Sequence, residues 1–198
     1  MHPALLLLEF DSIAVGIEAG DAMAKRSLLG TLRAGTVQPG RYLVLAGGEV
    51  ADVEEARAAG LTVGAGCLVD QIFLPDVHPE VVTALVGARR TESRDALGII
   101  ETRTVAATIG AADAGVKGAD VTLIEILLAD GLGGKAYVLF SGEVSDVEAA
   151  VELGAASLSR RQGLVARVVI PQIHGEMLDN LHAHPQFRSR LGAVLPSS

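Results

Sequence analysis

The heptad Gly48-Glu49-Val50-Ala51-Asp52-Val53-Glu54 returns as Gly142-Glu143-Val144-Ser145-Asp146-Val147-Glu148, 94 positions later. The match extends in both directions. Ala4-Leu5 through Lys25 aligns with Ala96-Leu97 through Lys117 at an offset of 92, and Leu74-Pro75-x-x-His78 aligns with Ile170-Pro171-x-x-His174 at an offset of 96. A fixed internal period constrains a fold more than any local propensity. The chain of 198 residues therefore reads as one unit written twice: residues 1–88, a polar linker 89–95, residues 96–184 and a polar tail 185–198. Units of this size hold a modest core, so packing between units or between chains is expected to add stability.

Each unit gives the same order of elements. In the first, 4–10 is an apolar run typical of a buried strand. Asp11 or Ser12 caps a helix to about Arg26. Strands are expected at 28–33 and 41–47, a helix at 49–59 broken by Gly60, Gly64 and Gly66, and a strand at 67–74. A turn at Pro75 leads to a short helix from Pro79, where proline suits the first turn. The second unit reads as strand 96–101, helix 104–117, strand 121–128, strand 135–141, helix 143–153, strand 164–170 and helix 175–182. The predicted fold class is thus α+β: two tandem ferredoxin-like units, β-α-β-β-α-β plus a short helix, each with one helix-covered sheet face.

Composition excludes several functions. Net charge is −8 and only 3% of residues are aromatic, so both the basic patch expected of a duplex binder and the stacking platforms of single-strand binders are lacking. Arg89-Arg90 and Arg160-Arg161 read as solvated loop charges. No run of 18 uncharged apolar residues is present, so nothing reads as a membrane span. The stretch 3–8 has no basic leader and is followed by Glu9 and Asp11, unlike a signal peptide. The expected setting is cytoplasmic, with no nucleic-acid or membrane partner. Cys67 is the one cysteine; its apolar surroundings suggest a buried structural thiol.

The motifs now at hand resemble a family. Ala96-Leu97-Gly98-Ile99-Ile100-Glu101-Thr102, then Ala111-Ala112-Asp113-x-x-x-Lys117, then Gly142-Glu143-Val144-x-x-Val147-x-x-Ala150-Val151, look like the signature of bacterial microcompartment shell domains. The first copy keeps Glu9, Gly20-Asp21-Ala22-Met23-x-Lys25 and Gly48-Glu49-Val50. Two copies, each beginning with the Ala-Leu strand and so not circularly permuted, resemble the tandem-domain shell proteins of propanediol-utilisation type. The resemblance implies a homotrimer that mimics a hexamer and tiles edge to edge with other shell proteins around enclosed enzymes. Small metabolites would pass through a pore on the threefold axis.

By that resemblance the pore is framed by Thr36, Val37, Gln38, Pro39 and Gly40 from the first copy and by Asp130, Gly131, Leu132, Gly133 and Gly134 from the second. Gly-rich backbone aims N–H groups at a narrow opening and favours polar or anionic solutes; an inward Asp130 opposes anions. The propanediol-type relatives carry a cysteine just before the Pro-Gly of this loop, and three such cysteines hold an iron–sulfur cluster. Gln38 stands there instead, and an amide does not replace a thiolate ligand, so no cofactor is expected. Lys25 and Lys117 are expected at tile edges, laying their stems on apolar surface.

Other candidate chemistry reads as structural. His78 and His174 are repeat equivalents suited to capping the last helix. His182-x-His184 leaves a metal site incomplete. Glu9/Glu101 and Asp21/Asp113 are matched pairs expected to partner the neighbouring unit rather than act as an acid–base couple. Phosphate loops, HExxH and GxSxG are absent, so the chain is not read as an enzyme. Two other classes stay open on sequence alone: a small-molecule-binding regulatory trimer of paired ferredoxin-like domains, and an enzyme with its site between the halves.

Overall fold

The computed structural model describes residues 4–88, 96–158 and 163–183; the linker 89–95, Arg160-Arg161 and His184 onward lie outside them. The first copy runs β1 (Ala4–Phe10), α1 (Ile13–Arg26), β2 (Thr31–Val37), β3 (Arg41–Gly48), α2 (Val50–Gly64), β4 (Leu68–Leu74) and α3 (Pro79–Leu85). The second repeats it as β5 (Ala96–Thr102), α4 (Val105–Gly118), β6 (Thr122–Leu127), β7 (Ala136–Gly142), α5 (Val144–Ala156), β8 (Leu164–Ile170) and α6 (Gly175–His182). The sheets are antiparallel throughout and share one order, β2-β3-β1-β4 and β6-β7-β5-β8. This is the ferredoxin-like arrangement predicted from the repeat.

The termini of the elements follow from local chemistry. The Ser12 hydroxyl accepts from the Val15 N–H and starts α1, and Thr104 does the same for α4 through Ala107. His78 and His174 do cap the last helices: each ring Nδ1 accepts from the backbone N–H two residues on, at 3.3 Å. A helix N-terminus carries orphan N–H donors, and an acceptor placed there satisfies one.

Three readings of the first copy are corrected. The strand placed at 28–33 spans Thr31–Val37, so Thr36 and Val37 pair with Tyr42 and Arg41 inside a hairpin. The glycines at 60 and 64 do not break α2, which continues to Gly64. They let the helix lie close on the sheet instead. A Cβ at Gly60 would stand 2.8 Å from Leu8 Cδ1 and 2.9 Å from Met23 Sδ, and one at Gly64 would strike the Phe10 ring. Packing therefore outweighs the propensity cost of glycine. Cys67 is half-buried in a short 3-10 turn before β4 rather than in the core.

β1 is buried along its whole length, which explains why it reads as a continuous apolar run with no alternation. Leu6, Leu8 and Phe10 pack with Ala19 and Met23 of α1 and Val53 and Ala56 of α2. Leu5 and Leu7 face the other way, into a cluster with Val81 and Ala84 of α3 and with Val105 and Ile109 of α4. The second sheet face is thus covered in part, by α3 and by the other copy. The two units share a core.

Close approach of α5 to α4 gives a test of this packing. A Cβ at Gly154 would lie 2.6 Å from Ile100 Cδ1 and 2.8 Å from the Ala111 carbonyl oxygen. Alanine gains about 1 kcal/mol of helix propensity over glycine, but a backbone oxygen in a packed helix cannot retreat, and overpacking costs about 1–3 kcal/mol. Gly154→Ala is expected to lower stability by about 1–2 kcal/mol in a urea titration; a gain would contradict the geometry.

Candidate functional site

Two features stand out, a pair of loops and the seam between the copies. The first loop closes the β2–β3 hairpin. Val37 and Arg41 pair, the Gly40 N–H donates to the Val37 carbonyl at 2.9 Å, and Gly40 has φ +102°. Thr36, Gln38, Pro39 and Gly40 are exposed and Val37 is half-buried. The second loop, 128–135, turns through four positive-φ residues, Ala129, Gly131, Gly133 and Gly134. Asp130, Gly131 and Gly133 are exposed, Leu132 is half-buried and Gly134 is buried. The loops meet although they lie almost a repeat apart. A Cβ at Gly134 would stand 2.8 Å from Pro39 Cδ and 3.4 Å from the Gln38 carbonyl oxygen, so glycine is required there by both its backbone angle and its neighbour.

The seam lies beside the loops. Glu9, wholly buried, accepts from Arg41 at 2.5 Å and from the Val105 N–H of the other copy at 3.0 Å. A carboxylate at the N-terminus of α4 faces its positive end. Burial nevertheless pushes the Glu9 carboxyl above its ordinary value, with Arg41 and the helix N–H groups opposing that rise. Arg41 also donates to the Arg103 carbonyl, at 3.3 Å. Farther along, Thr104 Oγ1 donates to Asp70 at 2.5 Å, the His78 N–H donates to Asp113 at 2.8 Å, and the Leu123 N–H donates to Glu80 at 2.9 Å. Lys117 holds Asp113 at 2.7 Å and donates to the Asp76 carbonyl. Glu9 and Asp113 thus partner the neighbouring unit. Their equivalents pair locally: Glu101 with Lys135 and Asp21 with Lys25, both at 2.5 Å.

Each side of this seam is written again, more exposed, toward an end of the chain. Ile109 is fully buried, whereas its equivalent Ile17 is 52% exposed. Val81 is fully buried, whereas its equivalent Met177 is 55% exposed. The Lys25 side chain is 74% exposed against 38% for Lys117. The chain therefore presents one half of the joint on α1 and β2, and the other half on β8 and α6.

Sequence reasoning misses the matched cations Arg41 and Lys135 and the matched acids Glu80 and Glu176. Their recurrence at offsets of 94 and 96 is the available signal. Asp70 has no such signal, because Ala166 occupies the matching position. Among the described residues no group of three or more His, Cys, Asp or Glu is arranged to hold a metal ion, and no helix is long and apolar enough to cross a membrane.

A duplicated α+β unit, joined through a polar-rimmed apolar seam and presenting paired loops, defines a tandem-domain assembly protein. The chain belongs to the BMC-domain family, whose model matches residues 4–77 and again residues 96–173. It is 43% identical over 177 residues to the bacterial microcompartment shell protein PduT of Citrobacter freundii, covering 89% of this chain and 96% of that one. A solved microcompartment protein from Desulfitobacterium hafniense superposes with a TM-score of 0.78 at 43% identity, over 89% of this chain and 98% of that one. One copy alone is similar to the shell protein EutM of Salmonella typhimurium, 41% identical over 83 residues, 42% of this chain and 84% of that one.

Proposed function

We propose that this protein is a shell subunit of a bacterial microcompartment: three chains join head to tail into a pseudohexagonal tile with a pore on its axis. The observation that carries this reading is the repeated half-seam. A contact made within the chain by α4 and β6 against β4 and α3 is available between chains, from α1 and β2 of one to β8 and α6 of the next. Such a contact is heterologous, and it yields a ring when the rotation closes. Six copies of a shell domain then stand around the axis, with two kinds of loop alternating. Family membership favours the shell over a regulatory trimer. The relatives are named as shell proteins, and the same reading makes this chain no enzyme, with other shell proteins and enclosed enzymes as its partners. Negative-stain microscopy of the purified protein is expected to show hexagonal tiles, sheets or tubes; dispersed single chains would overturn the reading.

Gln38 faces the axis in this arrangement, with Thr36, Val37, Pro39 and Gly40 beside it and with Asp130, Gly131, Leu132, Gly133 and Gly134 of the second loop between. Three amides, each both donor and acceptor, form a hydrogen-bonding ring that narrows the path for polar metabolites. The residues present do not suit an iron–sulfur cluster. Gln38 offers no thiolate, and Cys67 precedes β4, the edge strand opposite β2. Iron and acid-labile sulfide in anaerobically purified protein are expected at background; iron near one cluster per trimer would contradict this.

Lys25 and Lys117 serve the tile edge with the part of each side chain left exposed. Alanine is the useful substitution, because a carboxylate at 117 would face Asp113 and the Asp76 carbonyl. Replacing both lysines with alanine is expected to keep the trimer and abolish extended sheets; normal sheets from that variant would refute the edge role.

A further inference from the structure

A groove of about 490 Å³ opens on the face of the first sheet that α1 and α2 leave free, walled by Leu5, Leu45, Leu85 and Val86. Thr31 and Arg33 are the polar side chains on its lining. A small-molecule site needs convergent polar groups to orient its ligand, and two on one strand do not converge, so the surface suits an apolar segment. The same face of the second copy is closed: Leu97, Ile124 and Leu139 form a buried cluster with Ile173 and Leu181 packed on it. In the first copy Leu45, the equivalent of Leu139, is half-buried, and Arg33, which pairs with it on β2, is exposed.

Ile173 and Leu181 have their repeat equivalents, Val77 and Leu85, on the groove lining itself, so cover for the open remainder comes from elsewhere. Helix α3 rests on β6 through Glu80 and Leu123, and residues 86–95 join it to Ala96 at the head of β5. In the proposed ring, α6 takes on the next chain the place that α3 takes on the second copy. Residues 182–191 then have the length of 86–95 and bring the chain to the neighbour's Ala4, the equivalent of Ala96 and itself part of the groove wall. The C-terminal segment carries Phe187, Leu191, Val194 and Leu195. In sequence these four apolar residues stand among Arg188, Ser189, Arg190, Gly192 and Ala193. We infer that residues 187–195 of each chain fill the groove on the first copy of the next chain, so that the ring is latched by three C-terminal segments. The inference rests on the head-to-tail trimer proposed above.

The test uses full-length protein in which Cys67→Ser is combined with Val86→Cys on the groove rim and Val194→Cys in the segment. Light scattering first establishes the mass. After oxidation, a non-reducing gel is expected to show two- and three-chain products that thiol dissolves, with none from either single-cysteine variant. A trimer by mass that yields only single chains on the gel overturns the latch and leaves the trimer standing. A fast-migrating, internally closed single chain also overturns it, since the segment would then fold back on its own chain. A protein that is one chain by mass defeats both readings. As a second readout, removing residues 185–198 is expected to create binding of the apolar dye 1-anilinonaphthalene-8-sulfonate that the intact trimer lacks, and Leu45→Glu in the shortened chain is expected to remove it. Equal dye binding with and without the segment would mean that the groove is free for a different protein, and would refute the latch.

Discussion

Ile17→Asp is expected to give a folded protein of 20.4 kDa that remains a single chain in solution. Ile17 is half-exposed on α1, but its repeat equivalent Ile109 is sealed in the seam between copies. If the same joint forms between chains, the new carboxylate is buried there without a cation. An unpaired buried charge costs about 3–5 kcal/mol, roughly a hundredfold or more in affinity at each joint. The monomer loses little, because the side chain already meets water. Ile109→Asp makes the identical change inside the chain, so it is expected to destabilise folding by a similar amount. Light scattering checks the first variant and a urea or thermal melt followed by circular dichroism checks the second. A trimeric Ile17→Asp at the wild-type concentration, or an Ile109→Asp that melts like wild type, would break the equivalence.

Arg41→Ala carries the next largest effect. Glu9 is without solvent exposure, and Arg41 is its only cationic partner among the described residues. Stranding a buried carboxylate is expected to cost about 3 kcal/mol or more at neutral pH. The matched Lys135→Ala removes a more exposed pair, 50% and 30% accessible, and is expected to cost the separate chain only about 0.5 kcal/mol. The pH dependence has a definite sign. The folded Glu9 carboxyl lies above its unfolded value of 4.5, so the folded state binds the extra proton. Its ionisation weighs against folding, and that penalty grows as pH rises from 4.5 through the folded value. Without Arg41 the folded value climbs further. The stability gap between wild type and Arg41→Ala is therefore expected to narrow on acidification toward 4.5, as Glu9 takes up its proton and depends less on the cation. Urea titrations across that range check it, and a gap that widens in acid would rule it out.

The repeat makes most of the fold legible. Duplicated caps at Ser12/Thr104 and His78/His174 mark helix starts, because capping is local chemistry. The start of β2 is misplaced from sequence because Leu28 and Leu29 are apolar yet lie in the α1–β2 connection; Leu28 is exposed. The length of α2 is missed because glycine has two uses, ending helices and admitting close neighbours, and only the positions of Phe10 and Met23 decide between them. The seam is the least legible part. Its bonds run between residues 34 to 96 apart in sequence, and no local pattern announces that Glu9 belongs to the N-terminus of α4. The two loops can be named from family resemblance, but their contact through Pro39 and Gly134 needs the fold.

An electron cryomicroscopy map of the assembled protein bears on the central claim most directly. Three chains are expected around one axis, with the 36–40 and 130–134 loops alternating at the opening. The Leu32 N–H of each chain should sit within hydrogen-bonding reach of the neighbour's Glu176, as Leu123 sits by Glu80 within the chain. A ring in which those loops lie at the rim, or in which Ile17 and Met177 face solvent, would contradict the account.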